Sequence, residues 1–281
     1  MKKFPIFVLA LLTAVGAANA AVSVKLSLGP AFLSLAQYNS ALTGTFDYYR
    51  AAADSVTGAA RSLHWGCGCS GEIIASIGPS LSLGLGAGCL RASRESTLSY
   101  ASLGFNTEET YRPKFAAIPL SLTLHYSYPL GKSFRLDFFG GGVYYLTTFR
   151  HEFLVASNFF SYKQTQDFIS RTDAFGLRGG LGLELVLFHG FALVLEAEGR
   201  YAVIPEVRGD LTTQESLSGS SAQNTVHNAF LWIYNQSEGG QTYTRMVLSQ
   251  NQPFGSSAAN IRKGQIDLSG ISARAGIKFT F

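Results

Sequence analysis

The sequence predicts an all-β fold, a single eight-stranded antiparallel β-barrel, and three observations support this prediction. Apolar and polar residues alternate with period two over residues 118–128 and 134–149, on either side of a turn-forming break at 129–133. Hydrophobic residues make up 47% of the chain and charged residues only 14%. No segment after residue 20 has the roughly 18 uninterrupted apolar residues of a membrane helix. Strands with one apolar face toward lipid and one polar face toward a lumen reconcile these facts.

The N-terminal residues predict export. Lys2 and Lys3 precede an apolar stretch that ends in small residues at 18–20, which is the pattern of a cleaved signal peptide. We therefore expect a signal peptide at 1–20 and one outer-membrane β-barrel domain at 21–281. The formal net charge of the whole chain is only +4, which argues against nucleic acid as a partner.

Alternation and turn signals define the strands in order. The expected strands are 22–33, 71–78, 81–92, 118–128, 134–149, 175–187, 191–201 and 271–281. The connections at 78–80, 129–133 and 188–190 are short, whereas those at 36–66, 94–112, 152–172 and 205–264 are long. In outer-membrane barrels the short connections are periplasmic and the long ones extracellular. The even count of eight agrees with this architecture.

A ten-stranded barrel is the alternative. Residues 229–234 and 242–248 are apolar and flank a Ser-Glu-Gly-Gly turn at 237–240. Their apolar cores are shorter than the ~9–11 residues of a tilted membrane strand. We therefore expect an extracellular hairpin here and eight strands in the membrane.

The polar faces of the strands carry nearly balanced charges that we expect to meet inside the lumen. Since buried charges need partners, they predict a lumenal salt-bridge network; the functional alternative is a gate or a narrow ion path through it. The predicted members are Lys25, Glu72, Arg135, Asp137, Arg178, Glu184, Glu196, Glu198, Arg200, Arg274 and Lys278.

Two pairs of segments carry a resemblance to a known family. The segments IPLSLTLHYSYPL and FRLDFFGGGVYYLTTF, and then FGLRGGLGLEL and FALVLEAEGRYA, resemble hairpins of the small outer-membrane barrels related to OmpA, OmpX and OmpW, most closely the OmpW type. The terminal Phe281 resembles the signal read by the barrel-assembly machinery. The resemblance implies a protein of the cell outer membrane, with membrane lipid and the assembly machinery as partners and small hydrophobic solutes as cargo.

Two non-enzymatic functions remain open. One is a narrow conduit for small hydrophobic solutes. The other is a surface adhesin or binding module, whose contact patch in the last long loop is expected to be exposed. The predicted patch comprises Phe230, Leu231, Trp232, Ile233 and Tyr234.

No enzyme, cofactor or metal site is expected. The five histidines lack a nucleophile and an orienting carboxylate at a suitable spacing. Cys67-Gly68-Cys69 lacks the ligand spacing of a zinc site. The glycine-rich stretch at 176–182 lies within a predicted strand and leads into no helix, so it does not indicate a dinucleotide loop.

Overall fold

The computed structural model describes residues 21–102, 104–254 and 258–281. The predicted signal peptide at 1–20 lies outside the described residues. Strands dominate the described part of the chain, and none of its helices is long and apolar enough to cross a bilayer.

The elements in chain order begin with a strand, a helix and then strands of increasing length. The bounds are β1 (Val22–Phe32), α1 (Ala36–Ala52), β2 (Ser55–Gly58), β3 (Trp65–Ser76), β4 (Leu81–Ser93), β5 (Ser96–Ser102), β6 (Phe105–Pro129), β7 (Phe134–Ser157), a 3₁₀ turn (Phe159–Ser161), β8 (Tyr162–Phe188), β9 (Phe191–Ile204), β10 (Arg208–Leu217), β11 (Ser220–Glu238), β12 (Gln241–Ser249), β13 (Ala258–Lys263), β14 (Ile266–Asp267) and β15 (Gly270–Thr280).

Eight of the described strands form a closed antiparallel ring. The order around the ring is β1, β3, β4, β6, β7, β8, β9 and β15, and β15 pairs again with β1. Each ring strand overlaps one of the eight strands expected from the sequence. The expected all-β architecture is thus confirmed, with eight strands in the ring rather than ten.

The two ends of the ring differ. Tight connections at 77–80, 130–133 and 189–190 lie at one end, called the turn end here. Both ends of the described chain meet there, because the Phe281 N–H donates to Val22 O at 2.9 Å and the Ser76 N–H to Ala21 O at 3.0 Å. The opposite end carries α1 and the remaining strands, and is called the loop end.

The outer wall of the ring is a band of exposed apolar side chains. Phe175 and Leu28 are each 70% exposed, and Leu195 is 61% exposed. On β7 the band ends at Leu146, because the next outward residue is the exposed polar Thr148. Contiguous exposed apolar surface of this extent is uncommon on soluble proteins. Further members are Leu26, Ile73, Leu81, Ile118, Leu122, Leu124, Tyr126, Phe138, Leu177, Leu181, Leu183, Leu193, Tyr201, Ile271 and Phe279.

Three ring strands continue well beyond this band, which corrects two expected loops. Residues 94–112 and 152–172 are mostly strand, since β6 and β7 pair as far as Thr107 with Ser157, and β7 and β8 as far as Ser157 with Tyr162. The alternation changes character there instead of ending. Inward residues such as Phe149 stay apolar, while outward residues such as Arg150 form ion pairs, here with Asp167 Oδ2 at 2.8 Å.

The other two long connections are also folded. Residues 36–66 contain α1 and β2, and residues 205–264 contain β10 to β13. β10 pairs with the upper part of β8, β11 with β10, and β12 and β13 with β11. The β11–β12 hairpin turns at Gly239 and Gly240, whose φ angles of 58° and 79° suit glycine. As expected, this hairpin lies outside the ring.

Helix α1 closes the loop end from above. Tyr38, Leu42 and Phe46 recur every four residues and therefore share one helix face; all three are at most 1% exposed. The helix packs mainly against β12, and this face meets apolar side chains from the inner walls of β6, β7 and β8, including Phe115, Phe149 and Phe168. An apolar core therefore occupies the loop half of the molecule.

Candidate functional site

The middle of the ring interior holds a buried cation between two buried carboxylates. Lys25 on β1 is 2% exposed. Its Nζ lies 2.9 Å from Glu72 Oε2 on β3 and 2.5 Å from Glu196 Oε1 on β9. Because none of these groups reaches bulk water, each depends on the others for the interactions that hydration would otherwise supply.

Two arginines, Arg178 and Arg274, extend this network across the lumen. Glu198 Oε2 lies 2.5 Å from Arg274 Nη2 and 2.9 Å from Arg178 Nε. Arg274 Nε also lies 3.5 Å from Glu196 Oε2, which joins this cluster to Lys25. The lumen is thus crossed by a continuous chain of alternating charges.

Three further predicted residues take separate places inside the ring. Lys278 Nζ lies 2.7 Å from Glu184 Oε1. Arg200 uses its guanidinium differently from the expected ion pair: Nε donates to Leu268 O at 3.0 Å, and Nη2 donates to Phe32 O. Arg200 therefore fastens the connection before β15 and the end of β1 to the inner wall.

The expected lumenal position of Arg135 is wrong. Arg135 starts β7 at the turn end, where its side chain is exposed, and no described carboxylate forms an ion pair with it. Its side chain is on the inward side of β7, but β7 begins only one residue earlier, at Phe134, so Arg135 lies at the rim and is exposed to solvent. The alternation of inward and outward side chains alone does not distinguish a position inside the lumen from a position at the rim.

His125 belongs to the network and was not predicted there. This β6 residue is 1% exposed, with Nδ1 2.8 Å from Asp137 Oδ2 and Nε2 3.1 Å from Glu72 Oε1. Thr123 donates a further hydrogen bond to Glu72. The signal was present in the sequence, because His125 has the same inward parity as Thr123.

Glycine and phenylalanine shape the space around these charges. A Cβ on Gly84 would overlap Glu72 Oε1 and lie 2.9 Å from His125 Nε2, so only glycine leaves room for the carboxylate. Lys25 Nζ and Arg178 Cζ lie 5.2 Å and 5.4 Å from the centre of the Phe139 ring. Such contacts are favourable for cations taken out of water. The phenyl group of Phe139 fills the space that the charged groups leave.

The charged network in the middle of the lumen and the apolar core at the loop end lie close to each other. Beside Tyr145, Arg178 and Glu198 the described residues leave a cavity of about 30 Å³, the room of roughly one water molecule. Tyr145 is 2% exposed and Val143 is 1% exposed. The upper lumen is thus occupied mainly by the chain's own side chains.

The expected exposure of the contact patch is wrong. Leu231 and Ile233 are each 1% exposed and Trp232 is 9% exposed, while Phe230 and Tyr234 are half-buried. β11 is an inner strand of the loop-end sheet, with β12 along one edge and β13 along the other. Leu231 also joins the apolar core beneath α1.

A polar groove does open to solvent at the loop end. It has a volume of about 500 Å³ and runs between α1, the segment around His64 and the start of β12. Its exposed or half-exposed side chains are mainly hydroxyl and ring groups: Ser40, Thr43, Ser62, His64 and Thr242. The His64 ring stacks on Phe32 with centroids 5.0 Å apart. The hydroxyls and the imidazole ring offer hydrogen-bond donors and acceptors, and the half-exposed Asp47 adds a carboxylate acceptor.

Four of the five histidines have structural partners, and His189 is exposed in a turn. Tyr38 Oη and His151 Nδ1 lie 3.1 Å apart inside the loop-half core, and His227 Nδ1 lies 2.9 Å from Asp210 Oδ1 on the surface. No described Ser or Cys side chain forms a hydrogen bond with a histidine. Within the described ranges no cluster of three His, Cys, Asp or Glu side chains could hold a metal ion.

Comparisons with known proteins add little to this geometry. No protein-family model and no curated protein matches the sequence. Among solved structures, a major outer membrane protein from Thermus thermophilus is similar over 94% of this chain and 100% of that chain, with 16% identity and a TM-score of 0.40. A TM-score of this size does not establish a shared fold. The resemblance to OmpW-type proteins stays a prediction.

We predict that Lys25→Met strongly destabilises the protein, because it leaves the Glu72 and Glu196 carboxylates buried without their shared cation. Loss of one partner in a buried ion pair costs about 3–5 kcal/mol. Urea unfolding in lipid or detergent, followed by tryptophan fluorescence, measures the change in the free energy of unfolding. Adding Glu72→Gln to the variant should recover part of the loss.

Lys278→Met is the matched control. Its side chain is 11% exposed and has the single partner Glu184, so the cost should be clearly smaller than that of Lys25→Met. If both variants lose the same free energy of unfolding, the pairing of Lys25 with two carboxylates adds no more stability than a single ion pair.

We also predict that His151 makes stability pH-dependent. It lies five residues beyond Leu146, past the apolar band, and burial lowers its pKa to about 4. A histidine in the unfolded chain titrates near ~6.5. The contribution of the neutral, buried form is therefore complete above about pH 6.5 and is lost as the pH falls toward 4, by roughly 3 kcal/mol in all.

The variant His151→Gln isolates this effect, since an amide oxygen can still accept the Tyr38 hydroxyl. The free energy of unfolding of both proteins is measured between pH 7 and pH 4. We expect the difference between them to change steadily over this range. Parallel pH profiles would show that His151 does not titrate on unfolding.

Proposed function

We propose that this chain is a non-enzymatic outer-membrane β-barrel that is closed to solutes and acts through its loop-end surface. The band of exposed apolar side chains around a closed antiparallel ring supports a position in lipid, because such a ring satisfies its own backbone hydrogen bonds. In this orientation the turn end faces the periplasm and the loop end the exterior.

The filled interior is the observation that carries the proposal. A solute entering from the loop end meets α1 and the apolar core, and a solute entering from the turn end meets the Lys25 network. Both fillings are part of the folded chain. The geometry therefore favours a closed barrel over the hydrophobic-solute conduit that the family resemblance implies.

The loop end supplies the alternative working surface. About half of β7 and β8 and all of β10 to β13 stand beyond the apolar band, and they form a packed sheet with α1 instead of loose loops. The polar groove beside α1 is its candidate contact site. Hydroxyls from Ser40, Thr43 and Thr242, together with the Asp47 carboxylate, can hydrogen-bond the hydroxyls of a saccharide beside the His64 and Phe32 rings.

We predict that the refolded wild-type barrel is electrically silent in a planar bilayer. Lys25, Phe139 and Tyr145 are each at most 5% exposed and fill the lumen that the described residues enclose, whereas ion conduction needs an open path. Heat-dependent electrophoretic mobility confirms that the inserted protein is folded. A large porin in the same bilayer is the positive control. Discrete openings from folded wild-type protein, especially openings blocked by hydrophobic solutes, would contradict the closed barrel and favour the conduit hypothesis.

We predict that blocking the groove removes ligand binding without affecting the barrel. Thr43→Trp places a large ring in the groove from an exposed helix position. An array of neutral oligosaccharides, probed with labelled wild-type and variant protein, measures binding. Ala51→Trp is the matched control, since it adds the same ring at an exposed position of α1 that does not line the groove. Binding of the same glycans by wild type and Thr43→Trp would place the contact site elsewhere.

A further inference from the structure

Two cysteines face each other across neighbouring strands of the outer wall. Cys69 on β3 and Cys89 on β4 are direct partners in the antiparallel register, and their Sγ atoms are 2.7 Å apart. This distance is shorter than a contact between unbonded sulfurs and longer than the ~2.05 Å bond of a disulfide. We propose that Cys69 and Cys89 form a structural disulfide in the mature protein.

The backbone supports this pairing independently of the sulfur positions. Residues directly opposite each other in antiparallel strands have Cα atoms ~4.5–5.5 Å apart, which lies within the ~4.4–6.8 Å range of disulfides. The register around the pair is regular, with Ser70 opposite Gly88 and Gly68 opposite Leu90. Both side chains point to the same side of the wall, so the bond requires no change in strand pairing.

The third cysteine is excluded from the bond. Cys67 lies opposite Arg91, so Cys89 is its diagonal neighbour, at roughly 7–8 Å. Cys67 and Cys69 are two residues apart along one strand, or ~6.6 Å at the usual rise. Disulfides need Cβ atoms ~3.5–4.5 Å apart. Cys67, which is exposed, therefore stays a free thiol.

The Cys69–Cys89 bond would form by thiol–disulfide exchange, as disulfides do in proteins of the cell envelope. Cys69 is more exposed than Cys89 and is the sulfur that enters a mixed disulfide with an oxidised dithiol oxidase of the periplasm. The Cys89 thiolate then attacks the Cys69 sulfur, and the oxidase thiolate leaves. The two cysteines together lose two electrons and two protons, and the oxidase becomes a dithiol. This inference rests on the proposed outer-membrane location, since the cytosol keeps thiols reduced.

The bond would reinforce the wall at a specific place. Cys69 is also in register with Leu28 of β1, at the loop-end side of the apolar band. Above this point β3 leads back into the long connection that carries α1. A covalent link between β3 and β4 fixes the hairpin just where the chain leaves lipid.

Thiol counting tests the proposal on full-length protein isolated from cell envelopes. The protein is denatured without reductant and labelled with a maleimide, and mass spectrometry reads the number of labels. We expect one label on wild type, none on Cys67→Ser and two on Cys89→Ser. Prior reduction should raise the wild-type number to three. Three labels on wild type without reduction, or no label on Cys89→Ser because Cys67 and Cys69 are bonded to each other, would overturn the proposal.

The Cys67→Ser protein keeps the test decisive if Cys89→Ser does not fold. Its unreduced mass should be lower than its reduced mass by two hydrogens, and labels on both remaining cysteines would overturn the pairing. Treating the reduced, folded protein with oxidised glutathione tests whether Cys69 and Cys89 can form the bond at all. If the bond forms in the test tube while the thiols are free in cells, the disulfide in the mature protein is overturned. Membrane fractionation then tests the outer-membrane location by itself.

Discussion

The contact between Lys25 and its two carboxylates is the constraint on which the rest of the ring depends. Glu72 reaches it from β3 and Glu196 from β9, so one ammonium group connects strands on both sides of β1. A ring with an apolar exterior has no ordinary core to hold its walls at a fixed distance. Paired charges do this only if every partner is present, because an unpaired charge in such a place is very costly.

The sequence predicted the ring because period two is a strong local signal. Eight strands and the inward side of Lys25, Glu72, Glu196 and Arg274 all follow from parity and turn residues. The position along the strand axis is not local, which is why Arg135 falls at the rim and His125 was overlooked. Parity gives the face of a residue, and only the neighbouring strands decide how deep it lies.

The loop end was less predictable for a different physical reason. Helix α1 contains Thr43, Gly44 and Thr45, residues of modest or low helix propensity, and no side chain caps its first turn. Its helical state depends on the apolar wall against which Leu42 and Phe46 pack. Leu231 belongs to the same apolar cluster as Leu42 and Phe46, so its burial depends on the same long-range packing. Neither the helix nor this burial can be predicted from a local pattern.

The β7–β8 hairpin has a practical consequence. Its ladder runs without a register shift from Phe134 opposite Leu185 to Ser157 opposite Tyr162, and only the lower part lies within the apolar band. The upper part is a stiff stem that ends in a tip at 158–161, where Phe159 and Phe160 are exposed. Tips of this kind tolerate insertions. A foreign peptide grafted there would be displayed on a rigid arm held clear of the apolar band, without touching either the charged lumen or the helix-capped core.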